Sequence, residues 1–357
     1  MKPAMKRKEP ETAAGAAPAA SAFTATAATA ATSPLSCAKL PNNVLMPWIG
    51  FGTYKLGEKE AKAATLQALQ HGYRAIDTAF IYAGEKTEKQ VGLALAASKL
   101  SRDDVFLTTK HWRKYHGYEP AKKCLALSLS RLGVTHVDLW LMHWPGPAWS
   151  TMNRRKDLIE AHGRWHYAAE GMDEGAMPAL RAETWRAMED ALAEGKARAI
   201  GVSNFTVAHL ETLKKTARVW PPAVNQVELH PYHSQAALRA YCAKEGIVVQ
   251  AYASLGGQDA GKATLAALGG PLLAHPAVVG AAAAHGTSAA QVLLRWALQK
   301  GCAVVPKTTS KARLAENLAV GGFALSDAEV AAIDALDQAE SGRLCWRTDP
   351  LRMMDFE

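Results

Sequence analysis

The stretch Gly72-Tyr73-Arg74-Ala75-Ile76-Asp77-Thr78-Ala79-Phe80-Ile81-Tyr82 decides how this chain reads. It has the form of a short buried strand that ends on an acid and runs into a turn carrying a tyrosine. Ala75, Ile76 and Ala79 are apolar, so the strand would carry Asp77 inward. A carboxylate in apolar company must be paired or hydrogen-bonded. Lys110, which closes the apolar run 105–109, offers that partner, and a third run, 137–142, ends on His143. Successive strand-like runs that finish on or beside a titratable residue suit a (β/α)8 barrel, whose active site is built at the C-terminal ends of its strands.

Any one of these positions has a plain explanation, because strands often end in polar residues where they reach the surface. The ordered series Asp77, Tyr82, Lys110 and His143, each with apolar flanks, argues for a site.

The bulk properties narrow the class. The chain has 357 residues, long enough for a sizeable core, and an α/β barrel of that length is commonly one domain. It holds no long uncharged run of large apolar residues, so no spanning helix is expected. The formal charge of +8 is shared between a basic start and the rest of the chain. Such a balance suits nucleic acid or a phosphorylated small ligand. With no recognition-helix, zinc-finger or ribonucleoprotein pattern in the sequence, the small anion is the better reading. Cys37, Cys124, Cys242, Cys302 and Cys345 are scattered and odd in number, which points to a reducing compartment and to no metal site.

Residues 1–37 are an Ala/Thr-rich low-complexity tail with almost no large apolar side chain. It cannot bury enough surface to offset its ordering entropy, so disorder is expected. Its basic start, few acids and many hydroxyls leave an organelle transit peptide as the alternative to a plain tail on a cytoplasmic protein. Residues 38–357 read as a single barrel domain.

Turn chemistry over 39–47 predicts a hairpin, and 48–53 a first barrel strand. Gly50 and Gly52 form a G-x-G, but position 55 is lysine, so there is no dinucleotide fingerprint. Amphipathic runs follow at 59–71, 121–132, 179–193, 207–215 and 235–245, with a last helix at 327–336. Between them lie short β-rich runs at 199–202, 223–229 and 247–253, and an eighth strand at 302–306. This alternation implies a parallel sheet. Three long loops, 145–177, 256–275 and 342–357, belong at the mouth of the barrel, and long loops in compact domains are usually functional or disordered.

Residues 72–79 resemble the first signature of the aldo-keto reductases. Leu141-Met142-His143-Trp144-Pro145 is similar to that family's histidine strand end. Residues 188–205, closing on Ile200-Gly201-Val202-Ser203-Asn204-Phe205, resemble its second signature. Val305-Pro306-Lys307-Thr308 with Arg313, Glu316 and Asn317 resembles its third. The likeness runs from about Ala38 to about Trp346. One departure is visible: the run 83–92 is longer than the signature it resembles, which leaves the start of the following helix open.

The resemblance implies a (β/α)8 barrel with an N-terminal hairpin, acting as an NADPH-dependent reductase of aldehydes or ketones. Tyr82 would be the proton donor, Lys110 would lower its pKa, Asp77 would hold Lys110, and His143 would orient the carbonyl. General acid catalysis works best with a pKa near the operating pH, and a neighbouring ammonium favours tyrosinate. Thr53, Ser203, Asn204 and Gln226 would serve the nicotinamide end of the cofactor, amides suiting a carboxamide because each donates and accepts. Tyr252 would stack on the ring, and Ser254 and Leu255 would run beneath the pyrophosphate. Lys307, Thr308 and Arg313 would hold phosphate near a helix start, with Glu316 and Asn317 at the adenine. Tyr54, Trp112, Trp144 and Trp346, with His143, would wall the pocket. Taken singly, Ser203–Asn204 also read as a helix cap, Tyr252 as a core aromatic, and Lys307 and Arg313 as a solvated face. A small carbonyl substrate is expected, with no nucleic-acid or membrane partner, no metal and a monomeric state. The same fold in a regulatory or structural protein that binds NADPH with little turnover is the alternative.

Overall fold

The structure, a computed structural model, describes residues 36–147, 151, 154–163, 175–257 and 260–345. Of the expected tail, 1–37, residues 1–35 lie outside the described residues, while Cys37 belongs to the first strand; 346–357 of the third expected loop, Trp346 among them, also lie outside.

A two-stranded antiparallel hairpin, β1 (Cys37–Lys39) and β2 (Leu45–Pro47), comes first. Its turn is closed by the Asn43 N–H donating to Leu40 O at 2.9 Å, with Asn43 at φ 65°. Eight parallel strands follow: β3 (Phe51–Gly52), β4 (Ala75–Asp77), β5 (Phe106–His111), β6 (Val137–Met142), β7 (Ala197–Ser203), β8 (Val224–Glu228), β9 (Val248–Tyr252) and β10 (Cys302–Val304). Each pairs with its neighbours in chain order. The sheet's two ends meet through a parallel bridge between Ile49 and Val304, where the Gly50 N–H donates to Val304 O at 2.8 Å.

That seam explains the G-x-G. A Cβ on Gly52 would lie 2.5 Å from Val305 O, and one on Gly50 3.1 Å from a Val305 methyl. The glycines let the first and last strands approach, which is a packing demand of barrel closure.

The helices follow their apolar spacing. Helix Glu58–Gln70 buries Ala61, Ala64, Thr65, Ala68 and Leu69, one stripe at helical period. Helix Ala289–Gln299 begins on a capping box in which the side-chain oxygens of Ser288 and Gln291 each accept the other's backbone N–H. Neither it nor helix Pro276–His285 was singled out by periodicity; the latter is an alanine-rich run with little polar contrast.

Two of the expected long loops are partly helical. Region 145–177 contains helix Lys156–His162 and the start of helix Ala176–Ala193. Region 256–275 contains helix Lys262–Ala267 and a 3-10 turn, Leu272–Ala274. Alanine and leucine are strong helix formers, and their propensity outweighs the flanking glycines here.

The extra length after Tyr82 is a left-handed turn. Ala83, Gly84 and Glu85 have φ of 48°, 63° and 72°, and a regular helix, Thr87–Ser98, starts beyond them. Glu85 anchors the turn by accepting from Lys114 Nζ at 2.8 Å and Arg131 Nη2 at 2.6 Å.

Candidate active site

The C-terminal ends of β4, β5 and β6 bring Asp77, Lys110 and His143 to one mouth, and the turn after β4 folds Tyr82 over them. Lys110 is fully buried. Its Nζ donates to Asp77 Oδ1 at 2.6 Å, to Thr78 O at 3.0 Å and to the Tyr82 phenol oxygen at 3.2 Å. Three donors thus meet three acceptors, the full capacity of an ammonium.

The His143 ring centroid lies 6.0 Å from that of Tyr82, edge to face, and 5.6 Å from that of Trp112. Trp144 stacks beside His143 at 6.0 Å, and Tyr54 meets Tyr82 at 5.2 Å. Tyr54, 40% exposed, forms the rim. Tyr54, Tyr82, Trp112, His143 and Trp144 thus lie together at the mouth; Trp346 is outside the described residues.

The electrostatics correct one expectation. The Tyr82 phenol is raised, not lowered, despite the Lys110 ammonium beside it. Burial pushes it well above its usual range, and the Asp77 carboxylate adds to the rise. With Asp77 at 2.6 Å, the ammonium's charge is largely offset before it reaches the phenol. Burial also lowers Lys110 itself, against the pull of Asp77. His143 is held well below its usual value by burial and then by Lys110, His111 and Arg113. The site therefore presents a neutral phenol and a neutral imidazole.

Ser203, Asn204 and Tyr252 are joined by hydrogen bonds at the ends of β7 and β9. Neither Ser203 nor Asn204 caps a helix; Thr206 takes that role for helix Val207–Lys214. Asn204 sits at φ 63°, the left-handed region that asparagine tolerates. Its Nδ2 donates to His143 O at 2.9 Å and Ser203 Oγ at 3.2 Å, and its Oδ1 accepts from the Tyr252 hydroxyl at 2.7 Å. Thr53 Oγ1 donates to Asp77 O at 2.9 Å, and Ser254 Oγ to Ala251 O at 3.2 Å. Leu255 follows, partly buried.

Gln226 is already engaged. Its Nε2 donates to Asp77 Oδ2 at 2.8 Å and to Gln250 Oε1 at 2.6 Å. Both N–H bonds are spent inside the barrel, so only Oε1 is available to a ligand.

A second cluster lies beyond β10. Lys307 and Thr308 precede helix Lys311–Leu318, which Ser310 caps by accepting the Arg313 N–H at 3.5 Å. Arg313 is exposed and Glu316 partly so. Asn317 is buried beside the Tyr73 phenol. A half-buried Lys307 and an exposed Arg313 at a capped helix start fit a phosphate, and the free Gln226 carbonyl fits an amide N–H donor, so these residues suit a nicotinamide dinucleotide.

Some supporting residues escape a reading of sequence. Arg113 and Arg181, both buried, donate to the carbonyls of Pro147 and Pro145 at 3.0 and 2.8 Å and so steady the loop behind His143. Glu228 Oε1 accepts the N–H groups of Leu344 and Cys345 at 2.6 and 3.0 Å, fixing the chain that leads to Trp346. Gln250 had one visible signal, a polar residue inside the apolar run 247–253.

Eight parallel strands thus surround a mouth that holds a buried Asp–Lys–Tyr chain and a neutral histidine. Residues 48–338 match the model of the aldo/keto reductase family. The chain belongs to that family. It is 38% identical over 303 residues to glyoxal reductase of Bacillus subtilis, covering 85% of this chain and 93% of the relative. It is 38% identical over 307 residues to morphine 6-dehydrogenase of Pseudomonas putida, covering 85% and 92%. Among solved structures, an aldo/keto reductase from Brucella melitensis superposes with a TM-score of 0.70 at 36% identity, covering 85% of this chain and all of that one. The Bombyx mori aldo-keto reductase in complex with NADP superposes at 0.72 with 30% identity, covering 87% and 96%.

Proposed function

We propose that this chain reduces aldehydes or ketones to alcohols with NADPH, acting as a monomer on hydrophobic carbonyl compounds. The observation that carries the reading is Lys110 Nζ, which binds Asp77 and the Tyr82 oxygen at once, with the His143 ring 6.0 Å from that of Tyr82.

The cofactor, when bound, supplies a hydride to the carbonyl carbon. The chain's own residues handle the oxygen. Lys110 donates to the Tyr82 oxygen from behind, so the phenol's O–H is free to point at the pocket. As the carbonyl oxygen gains negative charge, Tyr82 gives it a proton, and a proton from solvent restores the phenol. A raised phenol pKa keeps that proton in place at neutral pH. His143, neutral, donates one N–H to the same oxygen and fixes its direction. Tyr54, Trp112 and Trp144 exclude water and favour apolar substituents, with Trp346 proposed to complete the wall.

Ser203, Asn204 and Gln226 would hold the nicotinamide carboxamide, with Thr53 beside them, and Tyr252 would lie under the ring. Ser254 and Leu255 would support the pyrophosphate. Lys307, Thr308 and Arg313 would bind the 2′-phosphate, and Glu316 and Asn317 the adenine. The NADP-bound Bombyx relative supports this choice of cofactor. Loss of NADPH absorbance with a panel of aromatic aldehydes tests the reading. Tight NADPH binding with no turnover across the panel would contradict it, and gel filtration checks the monomer.

A further inference from the structure

Gln226 and Gln250 are direct register partners on β8 and β9, and both are buried. An ionised Asp77 can only accept, so it must face the NH2 end of Gln226. Gln250 Oε1 also faces that end, at 2.6 Å. Turning the Gln226 amide over would set its oxygen against two acceptors. Gln250 is oriented in turn, because its own Nε2 points to Met46 Sδ, 3.8 Å away on the hairpin that floors the barrel. Met46 is fully buried and a weak acceptor.

From these contacts we infer that Gln250 is a positioning residue, two contacts from the cofactor's carboxamide, that locks the Gln226 amide so that Oε1 alone faces the carboxamide N–H2. This rests on the proposed NADPH reading and deepens it. Asp77 by itself occupies only one of the two Gln226 N–H groups. Without the second acceptor the amide keeps its NH2 end toward Asp77 but is held by a single hydrogen bond, so it can rock about its broad terminal torsion and take Oε1 out of line. Gln250 thus links the barrel floor to the carboxamide, and through Gln226 to the second oxygen of Asp77.

The test compares two cofactors on two proteins by fluorescence titration. One cofactor is NADPH. The other is its analogue with an acetyl group in place of the carboxamide, which keeps the carbonyl and lacks the N–H2. The wild type should bind the analogue about fivefold more weakly, the worth of one neutral hydrogen bond. In Gln250→Met, which keeps the volume and removes the amide, the two cofactors should differ by less than twofold, because Gln226 Oε1 is no longer aimed. A role confined to packing would weaken both cofactors equally and leave the fivefold ratio intact; that result overturns the inference. So does a wild type that binds both cofactors alike. A wild type that binds neither overturns the functional reading along with it. If both Gln250→Met and Gln250→Leu fail to fold, Gln250 is a core residue and the inference fails.

Discussion

Lys110 Nζ donates to the Tyr82 phenol oxygen at 3.2 Å, from the side away from solvent. The contact runs in one direction, since an ammonium has no acceptor. Tyr82 therefore accepts from behind and keeps its own proton for whatever enters the pocket. Asp77 makes this arrangement stable by pairing with Lys110 at 2.6 Å.

Removing the lysine should expose how much rests on that pair. Lys110→Met leaves the Asp77 carboxylate buried with Gln226 as its remaining side-chain donor. Breaking a buried pair from one side costs about 3–5 kcal/mol. Urea unfolding of the variant should show a loss of that size. A loss below about 1 kcal/mol would mean that water or a rearrangement takes the place of the ammonium.

Asp77 acts on the phenol in the opposite sense to the one expected of Lys110. Its negative charge raises the Tyr82 pKa, so removing it should lower that pKa. In Asp77→Asn, the fall of the reductive rate at high pH should begin at lower pH than in the wild type. A pH–kcat profile of both proteins decides it; a limb that moves upward contradicts the assignment.

Buried histidines set the acid stability. Burial lowers His111 to about 4 and takes His116, His143 and His209 well below their usual value. In the unfolded chain these groups take up protons as pH falls through about 6.5, while the folded protein refuses them. Their contribution is thus intact above about 6.5 and is lost as pH falls toward about 4, at ~1.4 kcal/mol per pH unit for each proton withheld. Thermal unfolding should show a lower midpoint at pH 5 than at pH 7, and His111→Phe should flatten the slope. A midpoint that rises on acidification contradicts the sign.

Cofactor choice should depend on Arg313. The two nicotinamide dinucleotides differ by the 2′-phosphate, and hydrogen bonds to charged groups contribute ~1.5–3 kcal/mol. Solvent exposure of Arg313 places its effect at the lower end. Arg313→Ala should raise the Kd for NADPH by roughly tenfold, ~1.4 kcal/mol, with little change for NADH. Equal losses for both would mean that the phosphate is held elsewhere.

Much of this was legible in the sequence, for physical reasons that differ from part to part. Asp77, Lys110 and His143 could be read because each ends an apolar run, and a barrel gathers strand ends at one mouth. The eight strands were legible through alternation, with ends shifted by a few residues. The sign of the Tyr82 shift was not, because it depends on burial and on how closely Asp77 offsets Lys110, and neither is visible in one dimension. Gln250 became meaningful only through its register with Gln226. The left-handed turn at Ala83, Gly84 and Glu85 was felt only as surplus length, since its anchors, Lys114 and Arg131, lie on later elements.

The central claim is that Tyr82 gives the proton, and Tyr82→Phe tests it most directly. The substitution keeps the ring beside Tyr54 and His143 and removes only the hydroxyl. Turnover of an aromatic aldehyde should fall by ~10²–10⁴-fold, the range for general acid catalysis, while the Kd for NADPH changes by less than about twofold, well under one hydrogen bond's worth. A variant that keeps more than roughly a tenth of wild-type kcat, far above what loss of a general acid allows, would contradict the account.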